Sequence, residues 1–340
     1  MLQDEFGRHI NYLRISITDL CNLRCIYCMP SEGIQLRPHN ENLTFEEIVE
    51  FVSIAAAYGI EHIRLTGGEP LVRKGIVDLV AKLSAIKGIK SIAMTTNGIL
   101  LPKYAQALKE AGLSRVNISI DTLDEQEYSR ITRGGNLTDA RDGIKAALEY
   151  NFHPVKINVV AAKSFKQNYL DFAKMTLHSP LHVRFIEFMP IGHIATEPTQ
   201  DDLSLSWEAN PTIATKDLIN YISNQAKEAG LGTLSPLTSD KAPLTLGPAN
   251  SYILPQAQGT IGFISAISDH FCSTCNRIRL TADGKIRPCL FSDTELDVRT
   301  PLRENDINKV HEIIAKALHI KPEAHFHKTG TERSMVQIGG

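Results

Sequence analysis

Residues 12–30, "YLRISITDLCNLRCIYCMP", join a strand-like segment to a loop that carries three cysteines. Residues 12–18 have the composition of a β-strand. Cys21, Cys25 and Cys28 (the first trio) follow in a C-x3-C-x2-C spacing, without a fourth cysteine beside them. In parallel α/β proteins, sites assemble at the carboxyl ends of the strands. The stretch therefore predicts a thiol-rich site at the end of the first strand of such a sheet.

The order of strand, loop and helix repeats along the first half of the chain. Strands are predicted at residues 12–18, 62–67, 91–96, 115–120, 155–160 and 182–188, and helices at residues 44–59, 75–87, 101–111, 137–150 and 166–177. The first helix has Thr44 as its N-cap, Glu47 three residues later and Gly59 as its stop. Repeated βα units imply a parallel sheet, and six units are too few for a closed eight-fold barrel. The predicted fold class is α/β, an incomplete (β/α)6 barrel of the TIM type.

The pattern changes after the sixth strand, and three segments are predicted. They are the partial barrel at residues 1–190, a connecting segment at residues 191–249 with one helix near 214–229, and a smaller α+β region at residues 250–340 that closes the open side. This last region is predicted to contain strands at 251–255 and 260–265, a hairpin at "TADGK" with a D-G turn, and a helix at 306–318. The final residues, "TGTERSMVQIGG", are predicted to form a flexible tail.

The overall composition is that of an ordinary soluble protein. The 340 residues are 43% hydrophobic and 22% charged, with a formal net charge of −2, so no global basic field favours nucleic acid or an anionic membrane. No run of 18 apolar residues is present, and the N-terminus is polar and acidic, unlike a secretory signal. We therefore expect a cytoplasmic protein without a nucleic-acid or membrane partner.

The remaining three cysteines form a second group near the C-terminus. This second trio has the spacing C-x2-C-x13-C and consists of Cys272, Cys275 and Cys289. Because a reducing cytosol does not keep disulfides, both trios indicate metal ligation. A structural zinc site takes four protein ligands, which leaves His9 or His39 open as a partner of the first trio and His270 as a partner of the second. Each iron of a [4Fe–4S] cluster needs one external ligand, so three thiolates would leave one iron open to a small molecule.

Two further features complete a pattern around the first trio. Tyr27 precedes its last cysteine, and the loop "GGEP" (67–70) follows the second predicted strand, where glycines let the backbone approach a ligand closely. The pattern resembles the signature of the radical S-adenosylmethionine (SAM) superfamily. This resemblance implies that the open iron of a first [4Fe–4S] cluster binds SAM, and that an electron from the cluster cleaves SAM to methionine and a 5′-deoxyadenosyl radical. It implies SAM contacts from Tyr27, Gly67, Gly68, Glu69, Ser119 and Met189.

A closer resemblance covers essentially the whole chain. The segments "IRLTGGEP", "TTNG", "SIDTL", "VKINVV", "RFIEFMP", "HFCSTCNRIRLTADGKIRPCL" and the terminal Gly-Gly are similar to those of the GTP 3′,8-cyclase family. The resemblance implies a lyase that performs the first step of molybdenum-cofactor biosynthesis. The radical removes the ribose C3′ hydrogen of GTP, and C3′ attacks C8 of guanine to give (8S)-3′,8-cyclo-7,8-dihydroguanosine 5′-triphosphate. A second [4Fe–4S] cluster, held by the second trio, is implied to bind the guanine base.

A triphosphate needs cations, and the sequence has no phosphate-binding loop of the form G-x4-G-K-[ST]. Arg277 and Arg279 follow Cys275 closely and, being two apart in a strand, share one face. The expected GTP contacts, in part from the family resemblance, are Arg14, Arg64, Thr95, Lys156, Arg184, Arg277, Ile278 and Arg279.

The resemblance also implies catalytic roles near the two ends of the chain. The implied catalytic residues are Arg14, Arg277, Arg279, Gly339 and Gly340, and the two glycines are expected to enter the active site. Asn97 and Asp121 lie at predicted strand ends and are candidates for supporting contacts.

The resemblance suggests a homodimer, an electron donor of the flavodoxin or ferredoxin type, and a downstream enzyme that forms cyclic pyranopterin from the product. Two other functions stay open. One is another two-cluster radical SAM enzyme such as a peptide-modifying maturase, although such families usually carry more C-terminal cysteines. The other is a non-catalytic iron–sulfur or zinc protein that senses redox state or binds a partner, which would need neither the GGEP loop nor the arginines beside the second trio.

Overall fold

The structure is a computed structural model that describes residues 2–35, 37–189, 191–192, 205, 209–237, 247–325 and 331–339. Its strands are β1 (Tyr12–Ser16), β2 (His62–Thr66), β3 (Ser91–Thr96), β4 (Arg115–Ser119), β5 (Val155–Ala161), β6 (Leu181–Glu187), β7 (Ser235–Pro236), β8 (Asn250–Ile253), β9 (Thr260–Ile264), β10 (Arg277–Leu280), β11 (Lys285–Arg287) and β12 (Leu296–Asp297). Its helices are α1 (Phe45–Tyr58), α2 (Ile76–Ser84), α3 (Leu101–Glu110), α4 (Glu125–Thr132), α5 (Leu137–Glu149), α6 (Tyr169–His178), α7 (Thr215–Glu228), α8 (Arg299–Arg303), α9 (Ile307–His319) and α10 (Met335–Ile338). None of these described helices has the length and apolar composition of a membrane span. Gly340, a predicted catalytic residue, lies outside the described residues.

The described strands form one twelve-stranded sheet in the order β12-β11-β10-β1-β2-β3-β4-β5-β6-β9-β8-β7. The strands from β10 to β9 in this order run parallel, and antiparallel strands flank them on both sides. In the part of the chain that the structure describes, β12 and β7 end the sheet and do not pair with each other. The predicted α/β class and the incomplete barrel are therefore confirmed.

The C-terminal part of the chain adds one parallel strand to each side of the six-stranded unit. β10 pairs with β1, which places Arg279 opposite Arg14. β9 pairs with β6, which places Gly262 opposite Arg184. The predicted α+β region thus extends the barrel sheet itself. The segment boundaries at residues 190 and 249 stay a prediction.

The barrel strands separate an apolar face from a polar one, because successive side chains of a strand point to opposite faces. On β1, Leu13 and Ile15 are fully buried in the hydrophobic core, to which helix α1 contributes Phe51 and Val52. Arg14, between the two apolar residues, lines an internal cavity. The core therefore lies between sheet and helices, and the inner face is left for the site.

Most predicted elements are confirmed, with ends shifted by no more than three residues. Helix α1 has the predicted capping box of Thr44 and Glu47 and a left-handed C-cap at Gly59. Helices α4, α8 and α10 are not predicted from the sequence. They contain eight, five and four residues, which is too short to display a clear helical repeat of apolar positions.

The prediction of a flexible tail is wrong for residues 331–339. This segment contains α10, and its Val336 and Ile338 are each 1% exposed. Ile338 packs with Ile191 and Phe291 in a small hydrophobic cluster. Burial against residues distant in sequence orders the segment, and a single short stretch of sequence does not reveal such packing.

Candidate active site

A cavity of about 290 Å³ lies where the parallel strands end. All six cysteines line it, and all six are free thiols. The cavity is also lined by every predicted SAM contact, namely Tyr27, Gly67, Gly68, Glu69, Ser119 and Met189, by the predicted GTP contacts Arg14, Arg64, Thr95, Arg184, Arg277 and Arg279, and by Asn97 and Asp121. The fold therefore gathers most of the sequence-predicted residues, and both cysteine trios, around one space.

Three predicted residues are placed away from the cavity wall. The side chain of Ile278 packs in the hydrophobic core, because its strand neighbours Arg277 and Arg279 occupy the inner face. The Ile278 side chain therefore points away from the cavity, and the GTP contact of this residue stays a prediction. Lys156 is 2% exposed and does not line the cavity, and Gly339 is also absent from its lining. Among the histidines considered as zinc ligands, only His270 lines the cavity.

The loop of the first trio is held by its own backbone and by Tyr27. The backbone N–H of Cys28 donates to the carbonyl of Cys25 at 2.9 Å, and the Tyr27 hydroxyl donates to the Asp121 carboxylate at 2.8 Å. Burial raises the pKa of Cys28 to about 12, and it also raises the pKa values of Cys21 and Cys25. Thiols buried in this way ionise when a positive metal centre binds them.

The donor chemistry of both trios fits an iron–sulfur cluster, because soft thiolates are the ligands that such clusters take. Within the described residues, no three His, Cys, Asp or Glu side chains are grouped closely enough to hold a single metal ion. The cluster assignment therefore rests on the spacing of the thiols and on their shared position in the cavity wall.

The glycines of the GGEP loop pack against the backbone that leads into the first trio. The N–H of Gly68 donates to the carbonyl of Thr18 at 2.8 Å, and the N–H of Glu69 donates to that of Leu20 at 2.8 Å. A Cβ at Gly67 would lie 2.4 Å from the Thr18 carbonyl oxygen. Glycine is therefore required here because two loops pack closely together. Room for a ligand is a separate reason.

Gly68→Ala should lower the free energy of unfolding by about 1–3 kcal/mol, the usual cost of overpacking. The added Cβ would lie 2.3 Å from the Leu20 carbonyl oxygen, and backbone cannot move aside easily. Urea unfolding measures the change. Gly247→Ala is the control, because among the described residues its Cβ would meet only the Arg184 side chain, at 3.6 Å. A change of less than about 0.5 kcal/mol is expected. Equal stability of the two variants would contradict this packing.

The carboxylate of Glu69 joins two of the loops around the cavity, those that follow β2 and β3. It is 1% exposed, and its carboxylate accepts from the Thr96 hydroxyl at 2.8 Å, from the Asn97 N–H at 2.7 Å and from the Leu71 N–H at 3.0 Å. Burial raises the pKa of Glu69 to about 7, although these hydrogen bonds act in the opposite direction. The carboxylate therefore fixes the ends of β2 and β3 relative to each other.

Buried cations form one wall of the cavity. Burial and neighbouring guanidiniums lower the pKa of Arg184 to about 9 and that of Arg279 to about 10. Behind this wall, burial and the charges of Arg184 and Arg64 lower the pKa of Lys156 to about 5. Cations that are desolvated and repel one another gain most from a polyanion. The wall is therefore suited to a triphosphate.

Several buried polar atoms at the cavity lack a hydrogen-bond partner among the described residues. They are the Thr95 hydroxyl, the side-chain oxygen of Asn158 and the Nε of Arg277. Since buried polar groups are nearly always paired, these atoms mark positions where a ligand's polar groups fit. Asn158 is not identified from the sequence, although it shares the inner face of β5 with Lys156 and lies opposite Arg184.

The second trio has a cationic neighbour that the sequence does not reveal. The ammonium of Lys321 lies 3.6 Å from the sulfur of Cys275. Although burial acts to raise the pKa of Cys275, the charges of Lys321 and Arg277 lower it. Lys321 follows α9, far from the trio in sequence, and no motif marks it.

An ionic network fixes the C-terminal segment at the cavity. The guanidinium of Arg333 donates two hydrogen bonds of 2.9 Å to Asp283, and Asp283 also binds Arg37, which follows the first trio. Beyond α10, the carbonyl of Gly339 accepts from Arg279 at 2.8 Å. The segment is thus held by Arg333 near its start and by the Gly339 carbonyl, which contacts Arg279 of the cationic wall, near its end.

Sequence comparisons agree with the geometry of the site. A family model described as Radical SAM superfamily matches residues 15–173, and one described as Molybdenum Cofactor Synthesis C matches residues 181–327. A protein of Pelotomaculum thermopropionicum named GTP 3′,8-cyclase is 48% identical over 343 residues, covering 100% of both chains. One of the same name from Moorella thermoacetica is 47% identical, again over 100% of both chains. The chain belongs to the GTP 3′,8-cyclase family. The resemblance drawn from the motifs is therefore confirmed.

Solved structures of two other proteins share the fold with this member of the cyclase family. SuiB of Streptococcus suis, solved bound to S-adenosylmethionine, has a TM-score of 0.60 at 14% identity, and the match covers 92% of this chain and 66% of the SuiB chain. A structure of anSMEcpe with bound AdoMet has a TM-score of 0.52 at 16% identity, covering 91% of this chain and 81% of that chain. At such identities the likeness shows the fold alone.

Proposed function

We propose that this chain is a GTP 3′,8-cyclase that converts GTP to (8S)-3′,8-cyclo-7,8-dihydroguanosine 5′-triphosphate, the first step of molybdenum-cofactor biosynthesis. The observation that carries the proposal is that two cysteine trios and a wall of arginines share one cavity in a chain 48% identical to a named cyclase. A non-catalytic iron–sulfur protein has no need of buried cations that face a cavity. The identity to cyclases also favours this function over that of a peptide-modifying maturase.

The proposed cofactors are two [4Fe–4S] clusters and SAM, with one cluster on each cysteine trio. When bound, these groups supply an electron that cleaves SAM to a 5′-deoxyadenosyl radical, and an open iron on the second trio for the guanine base. The residues proposed to surround SAM are Tyr27, Gly67, Gly68, Glu69, Ser119 and Met189, all of which line the cavity beside the first trio.

The chain's own residues bind and orient GTP. Arg14, Arg64 and Arg184 offer guanidinium groups to the triphosphate, which they bind through charge-assisted, forked hydrogen bonds. Arg277 and Arg279 extend this cationic surface to the second trio, where the base is proposed to lie. Unpaired polar atoms of Thr95 and Asn158 are available to the substrate.

The remaining proposals concern the setting of the enzyme. We place it in the cytoplasm as a homodimer, reduced by a flavodoxin- or ferredoxin-type donor. Its product passes to an enzyme that forms cyclic pyranopterin. Lys156, which lies behind the cavity wall, and the Gly339-Gly340 end are proposed to contribute to GTP binding and to catalysis, respectively.

Protein prepared without oxygen should contain about eight irons per chain, because each trio is expected to hold one four-iron cluster. With SAM, dithionite and GTP deuterated at ribose C3′, it should release 5′-deoxyadenosine that carries the deuterium, together with a cyclised nucleotide. Mass spectrometry detects both products, and unlabelled GTP is the control. Deoxyadenosine without deuterium, or zinc in place of iron, would contradict the proposal.

A further inference from the structure

The side chain of Lys321 contacts the loop of the second trio at three points. The Lys321 ammonium donates to the carbonyl of Arg277 at 2.9 Å and to that of Pro288 at 2.8 Å, in addition to its contact with the sulfur of Cys275. Arg277 and Pro288 lie close in sequence to two of the three cysteines. One side chain therefore ties the strand that follows Cys275 to the strand end that precedes Cys289.

A second cation, Arg8, holds the other end of the same loop. Its guanidinium donates to the carbonyl of Cys272 at 2.8 Å and to the carbonyls of Pro322 and Glu323 at 2.8 Å each. Arg8 has its own counter-ion, because its Nε pairs with Asp4 at 2.6 Å. Arg8 and Lys321 thus make similar backbone contacts but differ in how their charge is neutralised.

Lys321 has no carboxylate partner among the described residues. It is 3% exposed, and no ion pair joins it to a described Asp or Glu. Arg277 and Arg279 add positive charge around the same cysteine, Cys275. A buried ammonium is costly unless an anion faces it. The acceptor beside it that can carry negative charge is the sulfur of Cys275. The surroundings of Lys321 therefore suit an anion held by the second trio.

We infer that Lys321 is a positioning residue for the second trio. It holds the loop through two carbonyls and balances the negative charge of the thiolates and of the cluster that they bind. This inference rests on the proposed second cluster. Because hydrogen bonds to the ligating sulfurs and nearby charge set the potential of an iron–sulfur cluster, Lys321 favours the reduced state of that cluster.

The test uses the full-length chain with Cys21, Cys25 and Cys28 replaced by alanine, so that only the second trio holds iron. In this background, Lys321→Met and Lys321→Gln are compared with the unchanged lysine by redox titration followed by electron paramagnetic resonance. Both variants should be reduced about tenfold less readily, a negative shift of about 59 mV for a one-electron couple. Lys321→Gln separates the two roles, because its amide still donates to carbonyls but carries no charge.

Thermal unfolding gives a second measurement that does not require activity. Lys321→Met should lower the melting temperature of the iron-loaded chain more than that of the iron-free chain, because the unbalanced ammonium is itself a cost when the anion is absent. Arg8→Met should lower both melting temperatures similarly, since it leaves Asp4 without its partner in either state. Lys316→Met, at an exposed position of α9, is the control and should change neither.

The outcomes separate this inference from the proposed function. If the background chain with Lys321 intact holds no iron, the second cluster itself is wrong. If it holds about four irons, and both variants keep the same potential and the same difference between loaded and iron-free melting temperatures, the role of Lys321 is wrong. Loss of iron from a folded Lys321→Met chain supports the inference, because the loop then no longer holds its thiolates.

Discussion

Cys289→Ser is expected to stop the formation of cyclised nucleotide while SAM cleavage continues. Cys289 belongs to the second trio, on the β10–β11 side of the cavity, whereas the proposed SAM contacts follow β1 to β6. Loss of a residue that only supports a metal ligand costs up to about 100-fold. Loss of the ligand itself should therefore reduce product formation by at least about 100-fold. Chromatography of 5′-deoxyadenosine and of the nucleotide product measures the two reactions separately.

Cys28→Ser is the matched variant in the first trio. It should remove SAM cleavage and cyclisation together, because the electron for both is proposed to come from the first cluster. Each variant should retain about half of the iron of the parent protein, or about four irons per chain. Normal conversion of GTP by Cys289→Ser would show that the second trio has been assigned the wrong role.

Arg333→Met is expected to release the C-terminal segment from the cavity. The side chains of Arg333 and Asp283 are 14% and 4% exposed, and Arg333 also binds Glu295. Burial alone would raise the pKa of Asp283, but its hydrogen bonds to Arg333 and Thr281 and the charge of Arg37 hold it well below its usual range. Breaking a buried pair on one side costs about 3–5 kcal/mol.

The freed segment should exchange its backbone hydrogens faster, and product formation should fall at least about tenfold if half of that energy holds the segment in place. Hydrogen exchange by mass spectrometry over residues 331–339 measures the release. Arg303→Met is the control, because Arg303 pairs with Glu47 at the surface and such pairs contribute at most about 1 kcal/mol. Unchanged exchange in Arg333→Met would contradict the role given to this ion pair.

The sequence predicts the βα order, the two cysteine trios and the GGEP loop because each depends on local spacing. A helix shows its repeat within a dozen residues, and a ligand loop shows its cysteines within eight. Family resemblance then assigns Tyr27, Ser119 and Met189 to the site without any contact being known. Short helices such as α4 cannot be predicted in this way, because eight residues contain too little of a repeat.

Other features depend on which distant segments meet. The segment "CNRIRL" alone does not show which of its side chains face the site, because only the pairing of β10 with β1 decides which face of the strand is inner. Lys321 is a candidate because folding brings it next to Cys275. Asn158 is a candidate because, among the described residues, its side-chain oxygen has no hydrogen-bond partner. The C-terminal segment is ordered, not flexible as predicted, in part because Arg333 pairs with Asp283, which lies far away in the sequence.

The sequence by itself therefore determined the kind of chemistry, since thiol spacing and glycine-rich loops are written in adjacent residues. Only the tertiary structure decided that both trios, the arginine wall and the C-terminal segment surround one cavity. The physical reason is that the burial of the arginines and the balance of their charges depend on contacts between elements that lie far apart in the sequence. The order of strands in the sheet brings β1, β6 and β10 together with the C-terminal segment.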